Sequence, residues 1–128
     1  MKKTVFFLCL PLFLSGCSIF TSFSSDTDKA FFHIKNNSKA NVTNIVISVS
    51  DNQNVKSTKI NLPTGKSGDL NLDLTKSQVD GCYIITYVYN GLSFKKQFGY
   101  YSNGYPLEKH HKILINGDKI DYTPVKDY

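Results

Sequence analysis

The chain has 128 residues, 10 acidic side chains and 15 basic ones, giving a formal net charge of +5. That length supports one domain with a modest core. Every basic side chain is a lysine scattered along the chain, and without arginine there is no bidentate reader of phosphate or guanine, so nucleic-acid binding is excluded as a reading.

Lys2 and Lys3 precede an almost unbroken apolar run from Val5 to Leu14. A basic start and an apolar run of roughly 7–15 residues are the layout of a secretory signal, and about 20 apolar residues would be needed to span a bilayer. Pro11 within the run also disfavours a lasting helix. No A-x-A-like cleavage site follows; the run ends at Leu14-Ser15-Gly16-Cys17.

This tetrapeptide, placed directly after the apolar run, resembles the lipobox of bacterial lipoproteins. The resemblance implies cleavage before Cys17, diacylglycerol on its sulfur and an acyl chain such as palmitate on its amine. Ser18 rather than aspartate follows the cysteine, which in Gram-negative members implies sorting to the outer membrane, on its periplasmic face. Removing residues 1–16 leaves 112 residues with a side-chain charge of +3. Cys82 is then the one cysteine outside the signal and the lipidation site, so an internal disulfide is excluded.

Residues 17–29 read as the lipidated cysteine and a Ser-rich flexible tether, with a typical span on the order of 20 Å. From Ala30 onward the pattern is β. Ala30 to Lys35 forms a strand closed by the turn cluster Asn36-Asn37-Ser38; Asn41 to Ser50 follows, with Ile45, Ile47 and Val49 on one face. Asp51 to Asn54 is a turn, Val55 to Asn61 a polar edge strand, and Pro63 to Gly68 a loop. Leu70, Leu72 and Leu74 mark a half-buried strand, and Thr75 to Val79 is expected as one short helical turn.

Asn90-Gly91 is the sequence preferred by a two-residue type I′ hairpin. That turn sets Tyr89 opposite Leu92, Tyr87 opposite Phe94, Ile85 opposite Lys96 and Tyr83 opposite Phe98, an aromatic face assigned to the core. Lys96 must then lie at a sheet margin or snorkel outward. A second hairpin joins His110–Ile115 to Lys119–Thr123 through Asn116-Gly117, and Pro124 is expected to stop it.

Turn signals recurring about every eight to twelve residues indicate an all-β sandwich of about seven or eight antiparallel strands over residues 30–124, followed by a polar tail, 125–128. A small barrel is the alternative. The arrangement resembles immunoglobulin-like or transthyretin-like modules of secreted bacterial proteins, on strand count alone. The Cys…Trp…Cys signature is absent, since the chain has no tryptophan.

No residue set points to catalysis, a cofactor or a metal. His110 and His111 are adjacent on a strand and point to opposite faces, so they cannot chelate one ion with His33 or Glu108; they read as surface histidines. Cys82 reads as a small apolar filler. Ser67 within Thr64-Gly65-Lys66-Ser67-Gly68 lacks the earlier glycine of a phosphate loop and reads as a turn, and Asp69 and Asp73 read as solvent-facing. The glycosylation sequons at Asn36 and Asn41 read as turns.

Recognition chemistry concentrates in Gly99–Pro106, whose Tyr, Ser, Gly and Asn are favoured by binding loops. Tyr100, Tyr101, Asn103 and Tyr105 are the candidate partner-binding residues. The function expected is a lipid-anchored, non-catalytic envelope module that contacts the membrane through Cys17 and an envelope protein through its domain. A small defensive lipoprotein, inhibiting a hydrolase or excluding phage or plasmids, is the alternative; carriage of a small apolar ligand and an envelope enzyme rank behind.

Overall fold

A computed structural model of the chain describes residues 26–52 and 54–126. The signal segment, Cys17 and residues 18–25 of the tether lie outside the described residues. A single 3-10 turn, Asp26–Asp28, leads into nine strands: β1 (Lys29–Asn36), β2 (Val42–Val49), β3 (Ile60–Leu62), β4 (Ser67–Asp73), β5 (Gly81–Tyr89), β6 (Leu92–Ser102), β7 (Tyr105–Pro106), β8 (His110–Asn116) and β9 (Lys119–Val125). They form two sheets, ordered β4-β1-β8-β9 and β3-β2-β5-β6-β7. The chain is an all-β sandwich, with β4 meeting β3 and β9 meeting β6 along its two margins.

Alternation builds the core. Phe32 and Ile34 of β1, Leu70 and Leu72 of β4, and Ile113 and Ile115 of β8 point inward from one sheet; Ile45, Ile47, Val49, Tyr83, Ile85 and Tyr87 point inward from the other. Phe32 packs edge-on against Tyr83 at 5.1 Å and Phe98 at 5.9 Å, the separations that aromatic quadrupoles favour.

The β5–β6 hairpin has the register expected from Asn90-Gly91: Tyr89↔Leu92, Tyr87↔Phe94, Ile85↔Lys96 and Tyr83↔Phe98. Both turn residues have positive φ, 49° and 76°, as a type I′ turn requires. Lys96 is accommodated because β7 covers only Tyr101 and Ser102 of β6, leaving the rest of that strand a sheet margin. There its ammonium stands 5.9 Å over the Phe94 ring.

Several sequence expectations need correction. One pair is parallel, β1 beside β8 with Ile34↔Ile113, so the sandwich is not wholly antiparallel. The Val55–Asn61 strand shrinks to Ile60–Leu62 plus one bridge between Ser48 and Lys56, because Ser57 bonds to Ile47 with both its amide and its hydroxyl instead of continuing a ladder. Thr75–Val79 is not helical; a lone turn bond from Ser77 N to Leu74 O replaces the helix. The second hairpin turns at Gly117-Asp118, since Asn116 still pairs with Lys119. Pro124 does not stop β9, which runs to Val125. Proline is tolerated there because β9 is an edge strand, where its missing N–H breaks no second ladder.

Strand directions define two ends. The 3-10 turn, the β2–β3 and β4–β5 connections, the β6–β7 turn and the close of β9 share one end. The opposite end holds residues 37–41, residues 63–66, Asn90-Gly91 and Gly117-Asp118.

Candidate functional site

The Tyr-rich loop lies at the end where the chain enters the domain. β6 continues to Ser102, Asn103 and Gly104 turn with φ of 50° and 80°, and β7 folds back so that Ser102 pairs with Tyr105. This is a tight two-residue turn. The Asp80 carboxylate accepts from Ser102 Oγ at 2.8 Å and Asn103 N at 3.1 Å, and Tyr100 is hydrogen-bonded to the same carboxylate. The bonds from Ser102 and Tyr100 hold the Asp80 carboxyl below its usual range. The turn is therefore fastened to the β4–β5 connection.

Of the four candidate partner-binding residues, Tyr100, Asn103 and Tyr105 are exposed and Tyr101 is fully buried. A one-residue bulge accounts for this. Tyr83 pairs with Phe98 and Gly81 with Tyr101, so β6 carries one extra residue, and Gly99 takes a φ of 58°. The bulge reverses the alternation, sending Tyr101 inward and leaving Tyr100 43% exposed. The Tyr101 hydroxyl donates to the Asp51 carboxylate, which also accepts from Ser77 Oγ at 2.6 Å. Desolvation alone would raise the Asp51 carboxyl, but the bonds from Ser77 and Tyr101 outweigh it and hold the group below its usual value.

Two further apolar side chains complete this surface: Val79, 54% exposed, and Leu107, 60% exposed, beside Tyr105 at 55%. Sequence reasoning missed both. Their signal was an aliphatic residue stranded in a polar connection, next to Asp80 and Pro106 respectively.

His33, His110 and His111 border one groove of about 470 Å³ with Phe31, Asp69 and Val125, but the three do not share one face of their strands. His33 is exposed with Nδ1 2.7 Å from the Asp69 carboxylate, and His110 is exposed and stacked on Phe31 at 5.3 Å. His111 is buried, which corrects its reading as a surface residue: Ile113 and Ile115 share its strand phase, so it enters the core with them. It stacks on Phe32 at 4.8 Å, with Nδ1 3.1 Å from the Tyr122 hydroxyl. Among the described residues no group of three His, Cys, Asp or Glu is placed to hold a metal ion. In the same cluster the Tyr83 hydroxyl is buried without a hydrogen-bond partner among the described residues, and burial pushes its phenol far above the ordinary range.

Cys82 is half-buried, with its amide bonded to Ser50 Oγ at 3.1 Å. Pro63–Lys66 closes as a turn through Lys66 N to Pro63 O, and Ser67 begins β4. Asp69 and Asp73 are exposed, the latter accepting from the Thr75 amide and hydroxyl.

The opposite end carries a groove of about 500 Å³ lined by Ser38, Lys39, Tyr89, Leu92, Phe94 and Gly117. Leu92 is 64% exposed at its rim. Lys35, Lys39, Lys66 and Lys119 cluster around this end, with Asp118 and Asp121 as the nearby acids. At the Tyr-rich end Asp28, Asp51, Asp73, Asp80 and Glu108 nearly offset Lys29, Lys56, Lys59, Lys76, Lys109 and Lys126. The larger positive excess therefore lies away from the end at which the chain enters. No protein-family model matches the chain, and no curated protein matches it.

Proposed function

We propose that the protein is a lipid-anchored, non-catalytic module of the cell envelope that binds an acidic partner protein through the end of the sandwich remote from its anchor. The observation that carries this reading is Leu14-Ser15-Gly16-Cys17 at the close of a basic-then-apolar start. Cleavage before Cys17, diacylglycerol on its sulfur and acylation of its amine would place the domain on the periplasmic face of the outer membrane. The chain then enters the domain at its Tyr-rich end, so the groove lies at the end farther from the point of attachment.

The remote end has the composition of a docking surface. Leu92 supplies an exposed apolar anchor over the groove, and Lys39 and Lys66 supply charge that steers an acidic partner. Photo-crosslinking in cells from position 92 tests this. An acidic envelope protein is expected, its capture weakened by Lys39→Glu with Lys66→Glu and unchanged by Lys76→Glu at the anchored end. Capture indifferent to the first pair of charge reversals, or no capture from position 92, overturns the partner assignment.

A further inference from the structure

Val79, Tyr100, Tyr105 and Leu107 are four of the six large apolar side chains most exposed among the described residues, and all four stand at one end of the sandwich. Tyr100 and Tyr105 do not sit on a loose loop. Asp80, next to Val79, binds Tyr100, Ser102 and Asn103, and Gly104 is packed so closely on the Ser77 and Leu74 carbonyls that a Cβ would lie 2.9 Å from the first. The turn that carries Tyr100 and Tyr105 is therefore preformed.

Its position says what covers it. The 3-10 turn through which the chain enters packs beside β7, and the Asp28 carbonyl accepts from Leu74 N at 2.8 Å. Eight residues separate Cys17 from Asp26, a reach of about 30 Å at full extension. A lipid on Cys17 thus confines this end to the immediate neighbourhood of the bilayer, where effective concentration favours contacts too weak to form in solution. Tyrosine, with an apolar ring and a polar tip, is a side chain that membrane–water interfaces select. Acidic and basic side chains at this end nearly balance, so the contact is apolar and insensitive to salt.

We propose that Val79, Tyr100, Tyr105 and Leu107 seat on the surface of the bilayer that holds the Cys17 lipid, standing the sandwich upright with its groove outward. This inference rests on the anchored reading above. The chain contains no tryptophan, so Tyr105→Trp, Leu107→Trp and, at the remote end, Leu92→Trp each give a single reporter at an exposed site. The lipidated variants are placed in phosphatidylethanolamine–phosphatidylglycerol vesicles with brominated acyl chains. Emission from the Tyr105→Trp and Leu107→Trp variants is expected to fall by about half or more at low and high salt alike, as for side chains seated ~5–10 Å into the interface, while the Leu92→Trp variant is unaffected. Lipidated protein whose three reporters are equally unquenched overturns the docking and leaves the anchor standing. A chain whose intact mass carries no lipid overturns both.

Discussion

Replacing Asn36 with alanine removes one side chain that joins three parts of the fold. Asn36 is fully buried at the end of β1. Its Nδ2 donates to the carbonyls of Ala40 and Leu62, each at 2.9 Å, and its Oδ1 accepts from Ser38 N at 2.8 Å. The Leu62 bond links the four-stranded sheet to β3 of the other. Ser38, held in place by Asn36, bonds in turn to Ile115 O at 3.0 Å and Gly117 N at 2.7 Å. Alanine strips the buried Leu62 carbonyl and the buried Ser38 amide of these bonds. At about 1–3 kcal/mol for each unsatisfied group, the loss is about 2–6 kcal/mol, out of a total stability of about 5–15 kcal/mol. For a domain of this size the melting temperature should drop by about 10 °C or more. Urea unfolding followed by circular dichroism measures this directly. Asn37→Ala is the control, because its 2.8 Å bond to Asn116 is exposed, and it should cost less than about 0.5 kcal/mol. If Asn36→Ala and Asn37→Ala cost the same, the reasoning is refuted.

Other outcomes follow from the same contacts. The Asp51 carboxyl is held below 3.8 in the folded chain, so it contributes stability above its unfolded pKa that is lost as pH falls through the folded one; the stability gap between the native chain and Asp51→Asn, open at pH ~7, should close in an acid titration. Burial raises the Tyr87 and Tyr122 phenols to about 12, so stability is intact below about pH 10 and declines as pH rises toward 12; ultraviolet titration of the native chain against Tyr87→Phe and Tyr122→Phe should place both ionisations near pH 12. Gly104→Ala meets the Ser77 carbonyl at 2.9 Å with φ at 80° and should cost ~2–3 kcal/mol, whereas Gly91→Ala, with open space around its Cβ, should cost ~1–2 kcal/mol for its positive φ alone. Asp69→Asn, which breaks the exposed pair with His33, should change stability by less than about 1 kcal/mol.

The contrast between the two hairpins shows what the sequence could reveal. Around Asn90-Gly91 the turn preference and the period-two alternation select the same register, and that register formed. At Asn116-Gly117 the same dipeptide misled by one residue. Asn116 stays in β8, with its carboxamide bonded to Asn37 and Asp121, and glycine takes the first place of the turn. The β1–β8 pairing is parallel and long-range, so no turn chemistry announces it. Bulges hid the rest: Asn44 in β2 and Gly99 in β6 each insert a residue and reverse the phase beyond it, which brings Val42 and Tyr101 into the core. Asn36 read as a turn and a sequon because composition does not distinguish an exposed asparagine from a buried one.

The candidate site was legible in composition more than in geometry. Tyr, Asn and Gly between residues 99 and 106 marked an unusual surface, and three of the four residues singled out there are exposed. That the loop lies at the end where the chain enters depends on the course of all nine strands, which no local pattern contains. Val79 and Leu107 join the surface only through tertiary structure.

The central claim is attachment through Cys17. Intact-mass measurement of the protein extracted from the membrane fraction tests it most directly. A chain beginning at Cys17 and carrying a diacylglyceryl thioether and an acylated amine is predicted, with Cys17→Ala accumulating as an unmodified precursor. A native chain that retains residues 1–16, or that begins elsewhere without lipid, would contradict it.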